Sequence, residues 1–398
     1  MQKLTYILLV FLILMSCKDA GNKKIDEKTT ELYATTSQRS ETNPLTESFY
    51  KRLEGTIGGK EVVVHISKFK NKIFLNYYYA SKGIPIGLYI NRDLDPKGDS
   101  LELIEYDRFS KNYLQQQDNK WRLVLTANGA KGQWLSGDGK KVYDINLKEN
   151  YPAGSHLFNV VGTTDSLPIA LKSDTVMATS CMMLMEPSDA AASGWYKNAL
   201  LKSLSGEGNG YSGTIKQYLE EDTKQYLKEY KAELDTMFKN IEISDNDRFS
   251  SLNYVNELNS NALYNDHEFL VLDVGSYVYS GGAHGLEGKS IICYDMNQKR
   301  EMQLNDVISI DSVSLKKIVE KKFRTTSGMK PGQPLTEILF ENNLPANDNF
   351  YFTNKGLGFI YQPYEVAAYA VGIIYVFIPY TEVKPYLNPQ FASRMGIL

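Results

Sequence analysis

The chain has 398 residues, of which 42% are hydrophobic and 23% are charged. These values are typical of globular proteins and exclude a disordered chain or a protein that crosses a membrane many times. The formal net charge is -3, so the sequence lacks the basic excess of a nucleic-acid-binding protein. The length suffices for two domains that each bury a hydrophobic core.

Residues 1–17 have the pattern of a bacterial lipoprotein signal peptide. Lys3 supplies the positive charge, an apolar stretch runs from Tyr6 to Met15, and the segment Leu14-Met-Ser-Cys17 resembles a lipobox. The alternative, a transmembrane helix, fits less well because a span needs about eighteen apolar residues. The resemblance implies that Cys17 is acylated and that the mature protein is anchored to a membrane of the cell envelope.

Residues 18–45 are polar and contain no periodic apolar face, so we predict a flexible tether. Lys18 and Asp19 resemble the start of a surface-export signal of Bacteroidetes lipoproteins. The lipid anchor therefore indicates an outer-membrane location, with the folded part either in the periplasm or on the cell surface.

Residues 46–155 contain short apolar runs at a spacing of about ten residues, with Gly, Asn and Asp between them. This rhythm predicts an all-β domain, either a small antiparallel barrel or a sandwich. Trp121 and Trp134 are interpreted as core aromatics, with carbohydrate stacking as the alternative. The predicted strands are 61–66, 72–80, 84–90, 101–106, 121–126, 132–135 and 141–147.

Residues 165–398 mix helical and strand patterns. Apolar residues at helical spacing in 214–240 predict an amphipathic helix, and Ser188 is placed to cap a helix that reaches Ala199. Further helices are predicted near 312–324 and 334–341. Together with these, the apolar runs predict an α+β domain with an antiparallel sheet and helices on one of its faces. The predicted strands are 176–185, 249–258, 268–280, 287–296, 350–361 and 371–378.

Two motifs point to a family. The first is Tyr279-Ser-Gly-Gly-Ala-His-Gly285, and the second is the glycine- and aromatic-rich segment from Gly356 to Gly372. Together they resemble an envelope domain of RsiV-like anti-sigma factors, which sense lysozyme, and of PdaC-like peptidoglycan deacetylases, over roughly residues 165–390. The resemblance implies a non-catalytic domain that binds a muramidase such as lysozyme or a peptidoglycan-type glycan.

The candidate binding residues come from these two motifs. The glycines fit a tight turn that needs positive φ angles or close backbone approach. His284 could contact a ligand from this turn, but we favour a structural role in which it bonds a backbone carbonyl. Likewise, the Glu365 carboxylate could accept hydrogen bonds from a tyrosine or a backbone amide. The candidates are Tyr279, Gly281, Gly282, His284, Gly285, Tyr364 and Glu365.

We predict neither catalysis nor a cofactor or metal site. The run Asn265-Asp-His-Glu268 offers metal-ligand types, but consecutive residues of an extended chain point in alternate directions, which favours a turn. Two alternatives stay open for the whole chain: a glycan- or peptide-directed hydrolase that uses His284 and Glu365, and a structural envelope lipoprotein.

Cys181 and Cys293 remain once Cys17 is assigned to the lipid. Outside the cytoplasm they could form a disulfide. We favour the other interpretation, in which each is a small buried hydrophobic residue.

Overall fold

The computed structural model describes residues 48–90, 100–106, 118–172, 174–205, 211–239 and 249–397. The predicted signal peptide, the tether and Cys17 lie outside these residues. Among the described helices, none combines the length and the apolar character needed to cross a membrane.

An eight-stranded antiparallel barrel forms the N-terminal part. It consists of β1 (Ser48–Ile57), β2 (Lys60–Phe69), β3 (Lys72–Tyr79), β4 (Ile86–Ile90), β5 (Ser100–Tyr106), β6 (Lys120–Thr126), β7 (Gly129–Leu135) and β8 (Val142–Glu149). Each strand pairs with the next in the chain, and β1 pairs with β8 to close the barrel. Aliphatic side chains and the fully buried Trp121 fill its interior. The predicted all-β domain is confirmed, and it is a barrel.

A six-stranded sheet follows the barrel. Its strands are β9 (Phe158–Ala170), β10 (Thr175–Pro187), β11 (Tyr254–Asp266), β12 (Phe269–Tyr279), β13 (Leu286–Asp295) and β14 (Arg300–Glu301). They lie in the order β14-β13-β12-β11-β10-β9. Neighbours are antiparallel except β10 and β11, which are parallel. A parallel pair needs a long crossover, and here it contains the helices α1 (Ala190–Ser205) and α2 (Ile215–Met237).

A smaller antiparallel sheet and four helices complete the α+β part. They are α3 (Leu304–Val307), α4 (Ser312–Thr326), β15 (Phe350–Phe352), β16 (Gly356–Tyr361), β17 (Ile374–Pro379), α5 (Tyr380–Val383) and α6 (Pro389–Arg394). Alternate residues of β12 enter two cores: Leu270 and Leu272 pack with α1 and α2, whereas Val271 packs with the smaller sheet and α4. The α+β fold is thus confirmed, with α1 and α2 on one face and the smaller sheet on the other.

The outer face of β1, β2 and β3 packs against the six-stranded sheet. Val63 and Tyr78 of the barrel belong to the same hydrophobic core as Phe269. Asn76 donates a hydrogen bond to the backbone oxygen of Ala262, at 2.7 Å. β9 starts ahead of residue 165, where the sequence suggested that the second domain begins, and it also contacts β1. The two parts therefore share a continuous interface.

Cys181 and Cys293 are not joined by a disulfide. Cys181 lies on β10 and Cys293 on β13, with β11 and β12 between them. Adjacent strands are about 4.8 Å apart, so the three strand spacings alone separate the two residues by at least roughly 14 Å. A disulfide spans at most about 7 Å between Cα atoms. The candidate disulfide is therefore wrong, and the buried Cys293 packs as a small residue of the core.

Candidate ligand-binding surface

The turn between β12 and β13, residues 280–285, contains the three predicted glycines. Gly281 and Gly282 have φ angles of 90° and 87°, a backbone conformation that other residues rarely adopt. A Cβ atom at Gly285 would lie only 2.4 Å from the ring of Tyr277. Both predicted reasons for glycine, positive φ and close approach, are confirmed. Tyr279 braces the same turn, because its hydroxyl donates to the Gly282 carbonyl at 3.1 Å.

His284 is exposed, and its ring stacks on Tyr369 with 3.8 Å between centroids and 15° between planes. Its Nδ1 lies 2.9 Å from the Gly285 oxygen, which also accepts a hydrogen bond from the Tyr369 hydroxyl at 2.8 Å. A carbonyl only accepts, so Nδ1 carries a proton and Nε2 of the neutral ring is an acceptor. The predicted contact of His284 with a backbone carbonyl is present, and it leaves one side of the ring available to a ligand.

Tyr364 and Tyr369 come from residues 362–373, which join β16 to β17. The ring of Tyr364 is 55% exposed and lies 5.6 Å from that of Tyr369. Tyr364 has a φ of 67°, a strained value for a bulky residue. Burial, and then the nearby Glu287, raises the pKa of Tyr369 above its ordinary value, so its hydroxyl stays a donor. We call the group Tyr277, His284, Tyr364 and Tyr369 the aromatic surface.

Glu365 closes the turn that carries Tyr364. Its Oε2 accepts a hydrogen bond from the backbone N–H of Gln362 at 2.7 Å, and its Oε1 accepts one from Asn347 Nδ2 at 2.9 Å. The predicted bond from a backbone amide is confirmed. One oxygen bonds the turn and the other bonds Asn347, and neither bonds His284, so the structure does not join Glu365 and His284 into one catalytic group.

Amide side chains fix the two motifs relative to each other. The backbone N–H of Lys289, on the open edge of β13, donates to Gln362 Oε1 at 2.9 Å. Next to it, the N–H of Ile291 donates to Asn349 Oδ1 at 2.8 Å, and Asn349 Nδ2 donates to the Lys289 carbonyl at 2.9 Å. The segment with Tyr364 and Tyr369 is thereby held beside the turn with His284.

Sequence reasoning did not single out Tyr277, Tyr369 or Gln362. Tyr369 lies inside the second motif, so the density of aromatic residues there was the available signal. The sequence gives no such signal for Gln362, because a glutamine that bonds the edge of a strand cannot be told from any other polar loop residue until the position of that strand is known.

The run from Asn265 to Glu268 spans the end of β11 and the hairpin turn to β12, where His267 and Glu268 have φ angles of 55° and 62°. Asp266 pairs with Arg52 at 3.4 Å, and Glu268 pairs with His156 at 2.9 Å. The acidic groups thus have separate partners. Within the described residues, no three His, Cys, Asp or Glu side chains are grouped so as to hold a metal ion.

The fold and the surface define the chain as a barrel followed by an α+β domain with exposed aromatic rings. Two family models match this second part: "Deacetylase PdaC" over residues 204–287 and "Protein of unknown function (DUF3298)" over residues 306–381. The first match contains the turn with His284, and the second contains Tyr364 and Tyr369. The chain therefore carries a PdaC/DUF3298-like domain.

Solved structures that are similar to this chain include two of the DUF3298 family. A member of the DUF3298 family from Bacteroides fragilis NCTC 9343 is 20% identical, has a TM-score of 0.53, and covers 61% of this chain and 99% of its own. A DUF3298 family protein from Pseudomonas aeruginosa PAO1 is 12% identical, with a TM-score of 0.41 and coverage of 60% and 98%. The first comparison shows a shared fold. No curated protein matches the sequence.

Proposed function

We propose that this chain is a lipid-anchored binding protein of the cell envelope whose aromatic surface recognises a peptidoglycan-type glycan without cleaving it. The carrying observation is the exposed stack of His284 on Tyr369, beside Tyr364. Sugar rings present flat C–H faces and hydroxyl edges. The aromatic rings can pack against the C–H faces of a sugar, and the tyrosine hydroxyls and His284 Nε2 can form hydrogen bonds with its hydroxyl groups.

The backbone of Tyr364 supports a binding role. A bulky residue at positive φ costs about 1–3 kcal/mol and is retained where the site needs it. Its hydrogen bond to the Ala367 carbonyl, 3.1 Å long, and the turn closed by Glu365 hold this conformation. A ring held in place before binding loses little entropy when it meets a ligand.

The position of Glu365 favours binding over hydrolysis. A glycan hydrolase of the usual kind needs two carboxyl groups on either side of the bond that is cleaved. Glu365 is the carboxylate that the sequence suggested, and both of its oxygens accept hydrogen bonds, one from its own loop and one from Asn347 ahead of β15. His284 likewise uses Nδ1 to fix its own turn. Both groups therefore support the shape of the surface.

The envelope location rests on two lines of support: the match to the deacetylase PdaC model and the lipobox-like segment that ends at Cys17. If residues 18–45 behave as a random coil, their end-to-end distance would hold the barrel roughly a few tens of Å from the lipid. Replacing Cys17 by Ser is expected to abolish palmitate labelling and leave an uncleaved precursor. Normal labelling of this variant would remove the anchor from the proposal.

The test of glycan binding uses the chain from residue 18 onward, which keeps every described residue. Co-sedimentation with purified insoluble peptidoglycan should retain the wild type. Tyr364→Ala should weaken retention by about tenfold or more, as removal of a central aromatic contact does. Tyr386→Ala is the matched control, because Tyr386 is also partly exposed, at 37%, but lies near the C-terminus. Equal retention of both variants would contradict the proposal.

A second candidate ligand is a muramidase such as lysozyme, and one observation favours it. Val278 and Leu286 form a cross-strand pair on the other face of the same hairpin, and they are 36% and 42% exposed. An exposed aliphatic pair beside aromatic residues suits a protein interface. The double variant Val278→Ser, Leu286→Ser should then lose lysozyme capture and keep peptidoglycan binding. If the glycan is the ligand, Tyr364→Ala should lose peptidoglycan binding and keep any lysozyme capture.

A further inference from the structure

The mouth of the barrel contains a carboxylate with an unusual set of partners. Glu105 points inward from β5 and is 4% exposed. Its Oε1 accepts hydrogen bonds from the Tyr77 hydroxyl at 2.5 Å, from Trp121 Nε1 at 2.8 Å and from Trp134 Nε1 at 2.7 Å. Its Oε2 accepts one from Asn119 Nδ2 at 2.7 Å. All four partners are donors, which suits an ionised carboxylate.

None of these four partners is charged, so these hydrogen bonds do not themselves neutralise Glu105. The nearby cations Lys120 and Arg122 pair with Glu102 instead, at 3.7 Å and 3.6 Å. Glu102 alternates with Glu105 along β5 and faces the outside of the barrel. Within the described part of the chain, no lysine, arginine or histidine pairs with Glu105. A buried charge without a counter-charge is costly, so proteins normally pair it.

Aromatic rings surround this charge and lead outward. Trp134 and Tyr143 are cross-strand neighbours whose rings stack at 5.4 Å and 28°, and Tyr143 is 43% exposed. On the opposite wall, Tyr79 is half-buried and packs edge-on against Tyr77 at 5.6 Å. Burial, and then Glu105, raises the pKa of Tyr79 above its ordinary value, which places its hydroxyl in the field of the carboxylate. We call Tyr79, Trp134 and Tyr143 the rim.

We infer that the rim binds a small organic cation, a quaternary or protonated amine, above Glu105. Ring faces attract cations through their quadrupole, and cages of several aromatics recognise such groups. An indole or phenol that donates a hydrogen bond to a carboxylate also gains electron density in its ring, which strengthens the attraction of the ring for a cation. The site consists of barrel residues alone and does not rest on the proposed glycan binding.

Choline and its uncharged isostere, 3,3-dimethyl-1-butanol, are the probes, titrated into the full chain by calorimetry at constant ionic strength. Choline should bind saturably, and the isostere should bind at least about tenfold more weakly because it lacks the charge. Tyr143→Leu should weaken choline binding by about tenfold, since it removes an exposed ring of the rim. Tyr89→Leu is the matched control: Tyr89 is 42% exposed and alternates with the interior Leu88.

Glu105→Gln tests the charge itself and should also weaken choline binding by at least about tenfold. The glutamine amide brings donors to a site already full of donors, so this variant is first checked by circular dichroism. Tyr143→Leu keeps every hydrogen bond of Glu105 and decides the matter even where Glu105→Gln does not fold. Equal binding of choline and its isostere, no saturable choline response, or unchanged binding by Tyr143→Leu would overturn the proposal.

Discussion

Gly285 holds the aromatic surface together through its backbone. Its carbonyl receives hydrogen bonds from both His284 and Tyr369, and the ring of Tyr277 lies against its α-carbon. No side chain fits between this backbone and the ring. The geometry of three aromatic residues therefore depends on one residue that contributes no side chain.

We predict that Gly285→Ala displaces Tyr277 and lowers the free energy of unfolding by about 1–3 kcal/mol, the range for overpacking. Peptidoglycan retention should fall with it. Gly194→Ala is the control, because a Cβ atom at this exposed position of α1 has nothing within 4 Å. That change should stabilise the protein by about 0.5–1 kcal/mol. Urea denaturation measures both effects. If Gly285→Ala leaves the free energy of unfolding unchanged, the ring of Tyr277 moves aside without cost and the prediction is wrong.

His65 is a titratable residue at the interface between the barrel and the larger sheet. It is fully buried, and its Nδ1 lies 2.9 Å from the Tyr50 hydroxyl, which itself accepts a hydrogen bond from Asn265. Burial, and then the charge of Arg52, holds the pKa of His65 well below its ordinary value of 6.5. The ring is thus neutral in the folded protein, whereas in the unfolded chain it is protonated below pH 6.5.

This difference predicts a pH dependence with a definite sign. Below about pH 6.5 the unfolded state binds more protons than the folded state, so stability falls as the pH is lowered, by at most about 1.4 kcal/mol per pH unit. Well above pH 6.5 His65 is neutral in both the folded and the unfolded state, so it contributes nothing to the pH dependence of stability. His65→Asn keeps an acceptor for Tyr50 and should remove this part of the slope between pH 6.5 and 5.5. Equal slopes for the variant and the wild type in urea denaturation would contradict the assignment.

Among the elements, α2 shows how local sequence sets a boundary. Thr214 accepts a hydrogen bond from the backbone N–H of Gln217 at 3.1 Å, and the Gln217 side chain accepts one from the N–H of Thr214 at 2.8 Å. This capping box satisfies two donors that a helix start leaves open. The apolar stripe then buries Leu219, Leu227 and Leu234 against the sheet.

Thr214→Ala should lower the free energy of unfolding by about 1 kcal/mol, because it removes the acceptor of the capping box. The same substitution near the other end of α2, Thr236→Ala, is the control. Thr236 is exposed and only bonds back to the Ala232 carbonyl, so we expect a change within about 0.5 kcal/mol. If both variants lose equal stability in urea denaturation, the cap is not the cause.

The sequence predicted the elements whose pattern is local. Seven barrel strands, α2 and α4 lie close to their predicted ranges, because turn residues and apolar periodicity mark them. β1 was missed because it is covered on both sides, by the barrel interior and by the larger sheet, and so lacks alternation. β9 was missed because it contains Gly162 and Pro168, which an edge strand tolerates. The helix predicted from Ser188 instead starts at Ala190, with Asp189 bonding its first turn.

The site shows the same division between local and long-range information. The glycine turn and the carbonyl contact of His284 follow from the first motif alone. The stack of His284 on Tyr369 joins residues 85 positions apart, and no local pattern encodes that pairing. It depends on Gln362 and Asn349 capping the edge of β13, and hence on the packing of the smaller sheet.

At the scale of the whole molecule, the barrel and the α+β part are joined by buried polar contacts. Asn261 on β11 is 4% exposed and reaches the outer face of the barrel, where its Oδ1 accepts from the Ser67 hydroxyl at 2.8 Å. Its Nδ2 donates to the carbonyls of His65 and Phe74, both at 3.2 Å. Buried groups that depend on a partner across an interface make separation costly, because each would lose its hydrogen bond.

We therefore predict that the two parts unfold together. Thermal unfolding of Trp195→Phe should give one transition, whether it is followed by the fluorescence of the barrel tryptophans or by the far-UV circular dichroism of α1 and α2. Asn261→Ala removes the acceptor of the buried Ser67 hydroxyl and the side-chain donor to two strand carbonyls, and the unsatisfied hydroxyl alone costs about 1–3 kcal/mol. It should lower the melting temperature or split the transition. Asn256→Ala, on the opposite face of β11, should do neither. Two transitions in the otherwise unchanged protein would mean that the interface is too weak to couple the parts.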